Sequence, residues 1–222
     1  MNRHAQAPVV LKQRDQAFEE FSNLLLTLQV RPGQFVTQRE LVELTGMPLG
    51  AIREMVPRLE ADGLLSTQPK RGMQIVHIDL DLIRDAFQLR TALEKEAAAC
   101  FARTAADEEI AVMRKEHEFF LNAAQSGISA ELLQRAQLAD WGFHDTLIDK
   151  MGNQIISKIY RVNSIKVRLI RAERSRMDAG MLKDVMQDHL SIIDHFAEHD
   201  VDGAVRAIEK HIGNALQRAF AP

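Results

Sequence analysis

Apolar residues recur at helical spacing from Phe18 through Phe21, Leu24, Leu25 and Leu28, and Arg31-Pro32-Gly33 stops that run. Residues 1–9 carry no such pattern and read as a disordered arm. Thr37-Gln38-Arg39-Glu40 has the spacing of a capping box: the Thr37 hydroxyl can accept from the third helical amide while Glu40 reaches back. The short helix it opens is expected to turn Leu41 and Leu44 inward. Gly46-Met47-Pro48 turns the chain, and Pro48 suits the first turn of a helix that runs to about Ala61 and closes at Gly63. Pro57 lies inside that helix. An interior proline loses a backbone bond and costs about 3 kcal/mol, so a kink is expected there. Leu64–Thr67 and Met73–Val76 read as two short strands around the basic loop Gln68-Pro69-Lys70-Arg71-Gly72. Helix, helix-turn-helix and basic hairpin together predict a winged helix-turn-helix over residues 10–78.

From Asp79 onward only helical periodicity is present. Helices are expected over about 80–103, 107–126, from an N-cap at Ser129 to Gly152, from Asn153 to about 176, over 180–199, and from Asp200 to near Phe220. Six amphipathic helices in residues 79–222 fit a bundle of ordinary domain size. The fold class is therefore mainly α: an N-terminal winged helix-turn-helix with a small β-hairpin wing, followed by an all-α helical bundle.

Composition refines this picture only slightly. Hydrophobic residues make up 46% and aromatic ones 5%, which favours helix over sheet. The net charge of -3 argues against a generally basic nucleic-acid binder. The charge is uneven, however, with nine Lys/Arg against eight Asp/Glu in residues 1–78 and 19 against 23 in the remainder. One cysteine, Cys100, excludes an intrachain disulfide and suits a reducing compartment. No apolar run approaches the ~20 residues of a membrane helix, and no signal-peptide pattern opens the chain, so a cytoplasmic protein without a membrane partner is expected.

The bundle carries the candidate chemistry. Asp140 and His144 are one turn apart on one helix face, and His189 and His211 lie on two later helices. One carboxylate and three imidazoles suit a borderline divalent metal: zinc, nickel, manganese or iron. Taken singly, each of the four could equally be an ordinary packing or capping residue. His195 and His199 form a second i, i+4 pair, read as surface and helix-end residues. The helix after Asn153 is rich in cations, among them Arg161, Arg168 and Arg171; Arg161 or Arg168 could line a pocket. Trp141 is expected to pack the bundle.

The segments RPG (31–33), RELVELTG (39–46), REMVPRLEADGLL (53–65) and PKRG (69–72) resemble the winged-helix domain of the GntR regulators. QLRTALEKEAA (88–98), DWGFHDTLIDKMGN (140–153) and HLSIIDHFAEHDVDGAVRAIEKHI (189–212) resemble the helical FCD effector domain of the FadR branch. The resemblance implies a homodimeric transcription regulator that binds double-stranded operator DNA. A small organic acid bound at or beside a metal would alter that binding. It implies Asp140, His144, His189 and His211 as the metal ligands and Arg90 as a pocket arginine able to clamp a carboxylate, although Arg90 could instead pair with Glu94 one turn on. On the DNA side Arg53, early in the recognition helix, can reach a guanine edge or a phosphate. Arg39 matches a family position that faces the backbone or groove. Lys70, Arg71 and Gly72 form the wing tip. One departure is Leu49, which stands where the family often has an arginine.

A ligand-responsive repressor, not an enzyme, is the reading that unites these features. A winged-helix regulator whose metal is purely structural and a helical metallohydrolase are the alternatives. The last would need a general base beside a metal-bound water, and no motif supplies one.

Overall fold

The computed structural model describes residues 13–220 apart from Arg176, so the arm expected over 1–9 lies outside the described residues. The chain divides into two compact units, one ending at Ile78 and the other starting at Asp79.

The first unit contains α1 (Gln13–Leu26), β1 (Phe35–Val36), α2 (Gln38–Thr45), α3 (Leu49–Ala61), β2 (Leu65–Gln68) and β3 (Gly72–Ile75). Its core is built by Phe21 and Leu25 of α1, Leu41 of α2, Ile52, Met55 and Leu59 of α3, and Ile75 of β3. The expected capping box is present at α2: Glu40 N donates to the Thr37 hydroxyl, and Thr37 N donates to the Glu40 carboxylate at 2.6 Å. Gly46 ends α2 at φ 68, a left-handed conformation that glycine adopts without a side-chain clash.

Several details differ from expectation. The first helix ends at Leu26, and Leu28 lies in the following turn at φ 56. Leu44 is 43% exposed, because α2 packs between α1 and α3 through its Leu41 side alone. Pro57 is exposed and α3 runs through it to Ala61. The hairpin strands lie within a residue of their expected positions, and β1 joins them in an antiparallel sheet of order β1-β3-β2. Gly72, at φ 93, passes so close to β1 that an added Cβ would sit 2.8 Å from the Val36 carbonyl oxygen.

The second unit is α4 (Leu80–Thr104), α5 (Asp107–Ser126), α6 (Ala130–Lys150), α7 (Gln154–Arg174), α8 (Ala179–Ala197) and α9 (Val201–Phe220). Side chains of Asp79, Ser129, Asn153 and Asp178 accept from first-turn amides and fix four of the helix starts. Helix α4 packs on α6, α7 and α9, while α5 packs on α6 and α8. This arrangement turns one face of α6, α8 and α9 toward a common interior. His199 occupies the tight turn after α8 at φ 52, and its Nδ1 meets the Ala102 carbonyl of α4 at 2.8 Å. No helix among the described residues is long and apolar enough to cross a membrane.

Candidate metal centre

Asp140 and His144 of α6, His189 of α8 and His211 of α9 meet inside the second unit. One potential ligand atom from each lies within 4.8 Å of the others. All four are buried, between 0 and 3% exposed. Asp140 Oδ1 is 3.6 Å from His189 Nε2 and 3.8 Å from His144 Nε2, and His189 Nε2 is 3.3 Å from His211 Nε2.

The protons on these rings can be assigned from their outer partners. His211 Nδ1 faces the Asp188 carboxylate at 3.3 Å, and His144 Nδ1 lies 2.7 Å from Glu94 Oε2. A carboxylate only accepts, so His211 carries its proton on Nδ1; a guanidinium only donates, so His144 Nε2, 2.7 Å from Arg90 Nη2, is an acceptor. Burial holds His189 well below the ordinary histidine range, reinforced by repulsion from His211 and His144. Burial also lowers His211 to about 4, against the opposing Asp188 hydrogen bond. His189 and His211 are therefore neutral near pH 7. Asp140 stays ionised despite its burial because the Arg171 guanidinium favours the anion.

The interior is thus rich in lone pairs, with Arg90 Nη2 as the donor that reaches His144 Nε2. Asp140 Oδ2 is occupied by Arg171 and by Gln137 Nε2, whereas buried Asp140 Oδ1 has no hydrogen-bond partner. An orphaned carboxylate oxygen facing imidazole nitrogens is costly unless a cation joins them. The donor set and its geometry therefore fit a divalent ion of the borderline class, and the outer partners of each ligand are the orienting shell such sites use.

A small cavity of about 20 Å³, its mouth open to solvent, abuts His144. Arg90, Trp141, Tyr160, Arg168 and Arg171 all line it. Arg90 pairs with Glu94 and also lines the cavity: Nε bonds Glu94 Oε1 at 2.7 Å, and Nη2 lies 2.7 Å from His144 Nε2. Tyr160 donates to the same Glu94 oxygen. Arg168 lines the cavity with its guanidinium 4.7 Å over the Trp141 ring, so Trp141 is a wall residue as well as a packing one. Arg161 instead bonds Asp145 and Asp149 and does not line it.

Sequence reasoning assigned no role to Glu94 beyond a pair with Arg90, and none to Asp188, Arg171 or His117. One signal for His117 was present. Ile110, Met113, His117, Phe120 and Ala124 form one apolar stripe at spacings of three and four, with a histidine in its middle.

In the first unit Arg39, Arg53, Lys70 and Arg71 are all exposed. Arg39 pairs with Glu43 on α2, Arg53 Nε lies 3.4 Å from Gln38 Oε1, and Arg71 sits 5.5 Å from the Phe35 ring. Leu49, at the start of α3, is 41% exposed.

The profile of the FCD domain matches residues 85–214, more than half of the chain. The Nta operon transcriptional regulator of Aminobacter aminovorans is 28% identical over 191 residues, which cover 85% of this chain and 86% of that protein. Among solved structures, E. coli McbR/YncC is similar with a TM-score of 0.78 at 14% identity, covering 95% of this chain and 98% of that one. A Rhodococcus sp. RHA1 protein described as a GntR transcriptional regulator has a TM-score of 0.74 at 15% identity, covering 94% and 97%. At these identities the two structures speak for the fold. The chain belongs to the FCD-domain family and is a DNA-binding transcription regulator whose helical effector domain bears a buried Asp/His site for a divalent metal.

Proposed function

We propose that the chain is a homodimeric repressor whose operator affinity is set by a small carboxylate bound beside the metal. The observation that carries this reading is the adjacency of the four-ligand cluster to a cavity walled by arginines. Asp140, His144, His189 and His211 hold the ion. When bound, the ion would supply positive charge and Lewis acidity toward an oxygen donor. Arg90 offers its guanidinium to the carboxylate, Arg168 and Trp141 line the same cavity, and Arg171 keeps Asp140 ionised and fixed.

In this reading residues 10–78 bind DNA and residues 79–222 bind effector and dimerise. Arg53 contacts a base edge or a phosphate from the start of α3, Arg39 contacts the backbone or groove, and Lys70, Arg71 and Gly72 form the wing contact. A homodimer matches the two-fold symmetry of an operator. Effector binding then shifts DNA affinity only as far as the effector prefers one of two conformations.

The test is a thermal-shift screen of small organic acids against metal-loaded and chelator-treated protein, followed by operator binding with each hit. A carboxylate that stabilises only the loaded protein and changes operator affinity is expected. Stabilisation by metal with no acid responding across a broad panel would replace this reading with that of a purely structural metal.

A further inference from the structure

His117 of α5 is fully buried and lies outside the four-residue cluster. Its Nδ1 is 2.7 Å from the Met113 carbonyl oxygen one turn earlier. A carbonyl can only accept, so the His117 proton must sit on Nδ1. In the neutral ring Nε2 then carries a lone pair, and that atom faces His189 Nδ1 at 3.0 Å. Contact between the two nitrogens requires a proton on His189 Nδ1. His189 Nε2 is consequently bare, and it is the atom 3.3 Å from His211 Nε2 and 3.6 Å from Asp140 Oδ1. Phe143 stacks on the His189 ring at 4.1 Å and meets the His117 ring edge-on at 5.4 Å, so neither ring can turn without displacing it.

We infer that His117 is a positioning residue of the metal centre, fixing the tautomer of His189 through the chain Met113 carbonyl, His117, His189. The inference rests on the metal reading above. It also separates His189 from the other two imidazoles: His144 and His211 are oriented by the carboxylates of Glu94 and Asp188, whereas His189 is oriented by an uncharged group. An outer partner of this kind changes metal affinity by about 10- to 100-fold when removed.

Two variants and one spectrum test it, on the full chain. His117→Phe keeps an aromatic ring against both Phe143 and His189 but offers no acceptor. His117→Gln places a carboxamide oxygen at a similar reach. Zn²⁺ affinity is measured by competition with a chromophoric chelator. Phe is expected to weaken Zn²⁺ binding about 10- to 100-fold, and Gln to restore most of it. Long-range proton–nitrogen NMR of chelator-treated wild type should show His117 and His189 both protonated at Nδ1, a result that needs no variant to fold. Wild-type affinity in the Phe variant, equal weakening by Gln and Phe, or a His189 proton on Nε2 would each overturn the role of His117. A wild type that binds no Zn²⁺ would overturn the metal reading itself, and this role with it.

Discussion

Acidification of the metal-free protein should destabilise the helical unit in a specific window, and His211 should account for a measurable share. In the unfolded chain its pKa is near 6.5. In the folded chain burial lowers it to about 4. Between those values the unfolded state holds a proton that the folded state refuses. The stability His211 contributes is therefore complete above about pH 6.5, falls as pH drops, and is exhausted below about 4. A depression of that size corresponds to about 3 kcal/mol across the window, with a slope of about 1 kcal/mol per pH unit near pH 5. His189 is shifted the same way and adds to the loss. Asp140 and Glu94 are held below the usual carboxylate range and give way only at lower pH. The assay is urea unfolding of chelator-treated protein at steps from pH 7 to 4.5, followed by the fluorescence of Trp141. That residue is the only tryptophan in the chain and lies next to Asp140. The comparison is with His211→Gln, which cannot titrate and also lifts the repulsion on His189, so the difference between the two proteins reports His211 together with its coupling to His189. Parallel stability-versus-pH curves for the two proteins would refute the reasoning.

Three further outcomes are expected. A divalent ion at 100 times its dissociation constant should raise unfolding stability by about 2.7 kcal/mol; Asp140→Asn should abolish that gain and, by leaving Arg171 buried without its anion, cost about 3–5 kcal/mol even in chelator, both read by the same urea titration. Arg53→Ala should weaken operator binding by about 1–3 kcal/mol if it reads a base, and unchanged affinity in a gel-shift titration would remove it from the interface. Gly72→Ala should destabilise the first unit by more than about 1 kcal/mol, because φ 93 and the Val36 carbonyl both oppose a Cβ; hydrogen exchange at the β1–β3 amides would register it, and unaltered protection would show that the strands can move apart without cost.

Much of this architecture is legible in the sequence because helices write their ends in side chains. Ser129 and Asn153 accept from the amides that their positions predict, and the Thr37–Glu40 box closes in both directions. Strand β1 was not legible, since two residues carry no period and owe their extension to pairing with β3. Leu44 misled for a related reason: its spacing from Leu41 is helical, but two turns of helix do not specify which flank meets a neighbour. At the centre, the four ligands share a family pattern and a helix-face spacing. Glu94, His117, Arg171 and Asp188 gain their roles only when α4, α5, α7 and α8 close around α6 and α9, so their meaning is tertiary. Trp141 lines the cavity for the same reason, since neighbouring a ligand in sequence does not reveal which wall it faces.

The near-complete burial of the four ligands also governs time. An ion held by Asp140, His144, His189 and His211 would face solvent only through the cavity beside His144, which three arginines line, because the four ligand side chains are at most 3% exposed. Its escape is tied to the parting of α6, α8 and α9, and that motion belongs to the slow openings of a packed bundle rather than to ligand exchange in water. The occupant is then the metal present when the bundle last closed. Such a centre keeps a record of the metal supply at folding, and exchanges its ion on the schedule of the protein's own breathing.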